Sequence, residues 1–203
     1  MSHLNHYLKL KSSADLQPLF STSNNPVKEI TESMGAWKTM YPKFIDHKWT
    51  GLNIHIGDGS HCRTAALFAF NSASHNWTID PLVNEKHMRE WAHDKKAQRI
   101  WWSKSKFEDV IWSALMPGLT DPYNIILVHA HVDIRKVIAK FPNWIHIYSN
   151  PCCMRTEQTL SLQYQKENDI EVVMYGVDTG IISDKNEVVV YKNRRLLKSN
   201  QSL

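Results

Sequence analysis

The stretch from Leu52 to Phe70 constrains this chain more than any other. Leu52-Asn53-Ile54-His55-Ile56 reads as a buried strand, Gly57-Asp58-Gly59 as a tight turn, and Ser60 to Phe70 as an apolar helix. Glycines at the end of a strand let the main chain turn sharply and approach a ligand closely. The N–H groups that open the following helix can face an anion or a sugar hydroxyl. Further on, Asn76-Trp77-Thr78-Ile79-Asp80-Pro81 reads as a short strand ending in a carboxylate. An acid at the tip of the second strand is where open parallel sheets hold a nucleotide's ribose. A glycine turn alone is equally a structural turn; the turn with this acid favours a nucleotide-like ligand.

The rest of the chain fits one such sheet. Residues 1–26 are polar and read as an arm with little core of their own. Asn25-Pro26 opens a helix over 27–41, with Ile30, Met34, Trp37 and Tyr41 on one apolar face and Gly35 as its weak point. After the second strand come a helix over 85–97, a short strand over 98–102, and a helix from 105 or 106 to 115 closed by Pro117-Gly118. Tyr123 to Val128 is the most apolar strand and the predicted centre of the sheet. A helix over 133–141, a strand over 144–148 and a helix over 155–167 follow. Segments 170–175 and 187–191 leave no room for a helix between them and should pair antiparallel. Residues 27–193 form the domain, and 194–203 a loose basic tail. Strands alternating with helices specify an α/β fold with a mostly parallel sheet, a C-terminal antiparallel hairpin and helices on both faces.

Composition sets outer limits. The 203 residues suit one domain, and eight tryptophans support a substantial core. A net charge of +4 with neutral histidines permits a nucleic-acid partner without requiring one. No apolar run is long enough to span a membrane, and the N-terminus lacks the order of a secretory signal. Three cysteines, Cys62 and the adjacent Cys152-Cys153, fit a reducing, cytoplasmic setting. Lys95-Lys96, Arg99, Lys104, Lys106, Arg135, Lys136 and Arg194-Arg195, with Trp101, Trp102 and Trp112, form either an RNA-facing surface or ordinary solvated helix faces.

The element order is similar to the Rossmann-like class I S-adenosylmethionine-dependent methyltransferase fold over about residues 30–192. Within it, Ile56 to Arg63, Trp77-Thr78-Ile79-Asp80 and Ile125-Ile126-Leu127-Val128 resemble the FtsJ-type RNA 2′-O-methyltransferases, the poxvirus cap enzymes above all. That resemblance implies S-adenosylmethionine as cofactor. Gly57, Asp58, Gly59 and Ser60 would line its methionine and ribose portions, Asp80 would accept from the ribose hydroxyls, and Trp101 or Trp102 would lie near the adenine. It further implies a Lys-Asp-Lys-Glu tetrad. Lys38, with Lys43 as the alternative, stands for the first lysine and Glu187 for the glutamate. Ala130, or His129 or His131 with a one-residue slip, stands where the aspartate belongs, and His146 where the second lysine belongs. Imidazole cannot supply a lysine's fixed charge, although it serves as a base near neutral pH. Two readings stay open: a reworked site with Lys38, His129 or His131, His146 and Glu187, or a catalytically silent viral module that engages RNA or a protein partner.

Other patterns weigh less. His129-Ala130-His131-Val132-Asp133 matches the start of a metallo-β-lactamase metal site, but that fold needs sheet-rich sequence ahead of the motif, so no metal is expected. Cys152-Cys153 lacks zinc spacing. Cys62 reads as packing, with a reactive thiol at a helix start as the alternative.

Overall fold

The computed structural model describes residues 2–46, 48–91, 96–111, 122–151 and 155–199. Seven strands form one sheet: β1 (Leu52–Ile56), β2 (His75–Ile79), β3 (Ile100–Ser103), β4 (Tyr123–Val128), β5 (Trp144–Asn150), β6 (Ile170–Val177) and β7 (Glu187–Asn193). Their spatial order is β3-β2-β1-β4-β5-β7-β6. The strands from β3 to β5 are parallel, while β7 inserts antiparallel between β5 and β6. This is the mostly parallel α/β sheet with a C-terminal antiparallel pair that the pattern of elements specifies.

Helices cover both faces. On one, α3 (Pro26–Met40) and α4 (Arg63–Asn71) pack with Ile126, Tyr148, Val188 and Val190 of the sheet. On the other, Ile134, Val137 and Phe141 of and beside α6 (Ile134–Lys140) pack against Ile54, Trp77, Ile125 and Ile147. Pro26 starts α3, Asn25 accepts from the Lys28 N–H at 3.3 Å, and Ile30, Met34 and Trp37 are buried. Gly35 lies inside α3 and packs closely on Ile181, whose side-chain tip would be 2.8 Å from a Cβ there.

The N-terminal residues are not an arm. They form α1 (His3–Tyr7) and α2 (Ser13–Ser21), and Tyr7, Leu16, Leu19 and Phe20 are buried in the main core. Arg63 at the start of α4 donates to the Leu19 carbonyl and the Thr22 hydroxyl, tying α2 down. His3 does the same for α1 through Asp178, at 2.8 Å.

Other differences are local. Helix α5 covers Glu85–Trp91, and residues 92–95 lie outside the described residues. The helix expected from 105 or 106 is a single 3-10 turn at Phe107–Asp109 followed by extended chain, and Trp112 and the rest of that helix fall outside the described residues. Only Leu162–Glu167 of the 155–167 segment is helical (α7), because the turn before it places Leu160 and Gln158 in the core. The first part of the tail is a short helix, α8 (Arg194–Ser199), held to β6 by an Arg194–Glu171 ion pair of 2.9 Å. Cys152 and Cys153 lie outside the described residues.

Candidate functional site

Parallel sheets leave a crevice where the strand order reverses, between β1 and β4 here. A cavity of about 560 Å³ opens there, lined among others by Gly57, Gly59, Asp80, Phe107, His129 and His131. That volume is in the range of small-molecule sites.

The turn after β1 is built from its glycines. Gly57 and Gly59 have φ of +76° and +72°, the left-handed region that side chains avoid. A Cβ on Gly57 would lie 2.9 Å from the Ala130 Cα, so the tips of β1 and β4 approach as closely as they do only because that position is glycine. A Cβ on Gly59 would meet nothing. The Asp80 carboxylate, nearly buried at the end of β2, accepts from the Gly59 N–H at 3.0 Å and the Leu82 N–H at 2.7 Å. Turn and acid are thus one unit at the cavity wall.

Asp58 faces the other way. Its carboxylate accepts from the Thr64 and Ala65 N–H groups, both at 2.9 Å, and so caps α4 in place of Cys62, whose side chain makes no capping bond. Burial pushes this carboxyl up to about 6, against the pull of the Ala65 and Thr64 bonds. The Ser60 hydroxyl bonds the His61 ring at 2.7 Å and, like Asp58, is not part of the cavity lining. Trp102 packs half-buried on the α3–α4 core, and Trp101 stacks on His75 at 5.1 Å. It is Phe107, with Lys106 and Glu108, that reaches the cavity from beyond β3. Cys62 is fully buried and its thiol is pushed far up by burial, which makes it packing rather than a nucleophile.

The four tetrad positions do not converge. Lys38 lies in the last turn of α3, near His6 and Asp178. His146 is buried low in β5, its Nδ1 3.3 Å from Asn124 Oδ1 and its ring 5.1 Å from Phe44. Burial first, and Lys192 second, pull its pKa to about 4, so it is neutral. Glu187 does stand at the ligand edge of the sheet, but its carboxylate is paired with Arg155 at 2.8 Å. His131 lines the cavity and is exposed. Ala130 is buried against Gly57. Asp133 caps α6 and is paired with Arg135, which holds its carboxyl below the usual range.

The pair that sequence reasoning missed is His129 with Glu32. His129 sits just past β4 with φ of +52°, on the cavity wall, and its Nε2 is 3.0 Å from Glu32 Oε1. Glu32 is buried on α3, one turn after Lys28, whose ammonium is 3.4 Å from the same carboxylate. Only the Lys28–Glu32 spacing was visible in the sequence; the contact with His129 crosses the chain.

No family model and no curated protein sequence matches the chain. Solved structures do. A cyclopropane-fatty-acyl-phospholipid synthase-like protein from Lactobacillus casei superposes with a TM-score of 0.54 at 10% identity, over 80% of this chain and 79% of that one. The METTL16 methyltransferase domain gives 0.53 at 11% identity, over 84% and 69%. The human methyltransferase 10 domain containing protein gives 0.51 at 10% identity, over 81% and 80%. With the sheet order and the turn–acid unit, these likenesses establish that the chain has the Rossmann-like fold of the class I S-adenosylmethionine-dependent methyltransferases.

Proposed function

We propose that the protein is an S-adenosylmethionine-dependent methyltransferase. The carrying observation is the unit formed by Gly57, Gly59 and Asp80 on the wall of the cavity between β1 and β4. The residues fit the cofactor: Gly59 leaves open space where any side chain would stand, and Asp80 keeps lone pairs for ribose hydroxyls beyond its two main-chain bonds. When bound, the cofactor supplies an electrophilic methyl group on a sulfonium. The chain's own part is to orient the acceptor and take its proton. His129 is the base: the Glu32 carboxylate, 3.0 Å from its Nε2, supports the imidazolium that forms when the ring takes the proton.

The finer assignment, an RNA ribose hydroxyl as acceptor, is supported by the likeness of Ile56 to Arg63 and Trp77 to Asp80 to the RNA 2′-O-methyltransferases. The second reading, a catalytically silent binding module, is favoured by one observation: buried Ala130 and His146 stand where that family has charged groups. Calorimetry with S-adenosylmethionine and S-adenosylhomocysteine tests the cofactor, and transfer of labelled methyl to capped and uncapped RNA tests the acceptor. Asp80→Ala should weaken cofactor binding by about tenfold or more, the loss expected for hydrogen bonds to a charged group. Absence of binding to either compound by folded protein sinks the enzyme reading; binding without transfer favours the silent module.

A further inference from the structure

The two edges of the sheet are finished differently. At one, β3 is four residues long, and shortness is one way an edge is kept from pairing with another chain. At the other, β6 has eight residues and is the longest strand of the sheet. Among the described residues no strand pairs with its outer side. An edge of that length turns about four N–H and four C=O groups outward. The run Ile-Glu-Val-Val-Met-Tyr-Gly-Val holds no lysine or proline, the residues that commonly protect an edge. Its single charge, Glu171, lies near its start and is paired with Arg194.

The side chains of this edge are apolar and open. Tyr175 and Val177 are 65% and 61% exposed, and Val172 is exposed as well. A bulge between Val172 and Met174 shifts the register with β7. Bulges can turn an edge away from neighbours, but this one brings Val172 into line with Tyr175 and Val177. The three stand across β7 from Tyr191, Val189 and Glu187, so they share one face. On β7 that face is core, since Val189 and Tyr191 are buried. The apolar stripe thus continues from the core onto the outermost strand. Leu162 on α7, the helix packed on β6, is exposed too.

We propose that β6 pairs antiparallel with β6 of a second copy around a two-fold axis, joining two seven-stranded sheets into one. Charge favours this occupant and this direction. Lys192 and Arg194 flank the Glu171 end of the strand, and Asp178 follows its Val177 end. Antiparallel pairing sets the cationic end of one copy against the acidic end of the other. With the axis near Met174, the two Glu171 carboxylates stand about 20 Å apart, beyond a Debye length. Each copy has one long edge, so the pairing closes as a dimer rather than growing into a filament. Eight strand residues and the exposed flank of α7 fall short of the roughly 20–30 residues a side of a standard interface, so the dimer is a weak, exchanging one. The inference does not rest on the methyl-transfer reading, since β5 and β7 stand between β4 and this edge.

The test is sedimentation velocity on the full chain over a range of concentrations. An interface of this size predicts a Kd on the order of 10 µM, so the mass should pass from monomer to dimer between about 1 and 200 µM. Tyr175→Lys should weaken the dimer about 100-fold or more, because the two-fold axis places the substitution in the contact twice. Tyr175 is exposed, so the urea midpoint should not move. Val177→Lys, at the end of the strand, serves where Tyr175→Lys does not fold. Leu8→Lys changes an exposed apolar side chain at the end of α1 and should leave the dimer intact. A wild type that stays monomeric at about 200 µM overturns the proposal, as does a dimer that survives both β6 variants. Dissociation by Leu8→Lys alone would place the contact on the α1 side and overturn it too. A monomer that instead binds an added extended peptide through this edge would make β6 a peptide-docking strand, again against the dimer.

Discussion

Beside the two ends of the central strand β4, histidines lie in opposite settings. At its start, Asn124 sits in a buried polar row that crosses the sheet. His146 bonds Asn124, Asn124 donates to Asn53 at 3.2 Å, Asn53 donates to Ser74 at 2.9 Å, and the Tyr41 hydroxyl at the end of α3 closes on Ser74 at 3.2 Å. A side branch joins Asn76 to Asn53 and to His55. Every partner is neutral, and burial keeps both imidazoles neutral with pKa values near 4. At the other end, His129 meets a carboxylate at 3.0 Å on the wall of a cavity. The same side chain is thus a structural polar strut when amides surround it and water is excluded. Beside an open site and next to an anion, it has the setting that the proposed proton transfer needs.

The sharpest way to break this comparison is to remove each imidazole's setting in turn. His129→Ala should lower methyl transfer by about 10² to 10⁴, the usual worth of a general base, with cofactor affinity within a few-fold of the wild type. Labelled-methyl transfer measured beside calorimetry separates the two quantities. If His146→Asn instead produced that loss without loss of stability, the assignment of the two ends would be reversed.

The next effect is on stability at acid pH. His55 and His146 stay neutral in the folded protein down to about pH 4, whereas in the unfolded chain they take protons near 6.5. The unfolded form therefore binds more protons across that window, and each histidine withdraws about 3 kcal/mol of stability as pH falls from 6.5 to 4. Asp58 acts in the opposite sense. Its folded pKa of about 6 lies above the unfolded 3.8, so the folded protein gains stability as pH falls through that interval, by roughly one histidine's worth. Two histidines against one aspartate leave a net acid loss. His146→Asn removes one of them and should flatten the fall in urea midpoint between pH 7 and 4.5; an unchanged fall would show that the row is wetter than its burial implies.

Smaller still is the cost of interrupting the row. Asn124→Ala leaves the Asn53 carbonyl and the His146 ring without their partner, at about 2 to 4 kcal/mol for two buried polar groups. Turnover per folded molecule should stay near the wild-type value. A urea melt and a transfer assay on the same preparation read both.

The sequence carried the parts that are local. The strand, glycine turn, helix and trailing Asp80 were readable because they lie within thirty residues and follow from backbone geometry. The mostly parallel sheet with its closing antiparallel pair followed from the alternation of elements and the final hairpin. What was lost lies in long-range pairing or in masked signals. Leu16, Leu19 and Phe20 have helical spacing, but Pro18 and the serines on either side read as loop. Asp58 was a ligand candidate through the likeness of its glycine turn, and its capping role was hidden because a cap normally comes from the residue at the helix start, where Cys62 supplies none. The likeness to a lysine-bearing strand made His146 a catalytic candidate, and nothing local reveals that Asn124 and Phe44 enclose it. Glu32 gave no sign of His129, ninety-seven positions away.

The smallest contrast lies within the turn itself and separates fold from ligand at two positions of equal backbone strain. Alanine at either Gly57 or Gly59 must adopt a positive φ, which costs about 1 kcal/mol. At Gly57 the new methyl also meets the Ala130 main chain, which cannot move without shifting the tip of β4, so overpacking adds a further 1 to 2 kcal/mol, roughly. At Gly59 the methyl stands in open space beside the cavity, so its stability cost ends with the backbone term. Ligand binding should reverse the order of specificity. Gly59→Ala should weaken S-adenosylmethionine about tenfold or more while the urea midpoint moves little, because the methyl occupies ligand space. Gly57→Ala should move the urea midpoint most. Equal effects of the two variants on the midpoint would mean that the β1–β4 tips are not in close contact. Unchanged affinity in Gly59→Ala would mean that the cofactor does not lie against this turn.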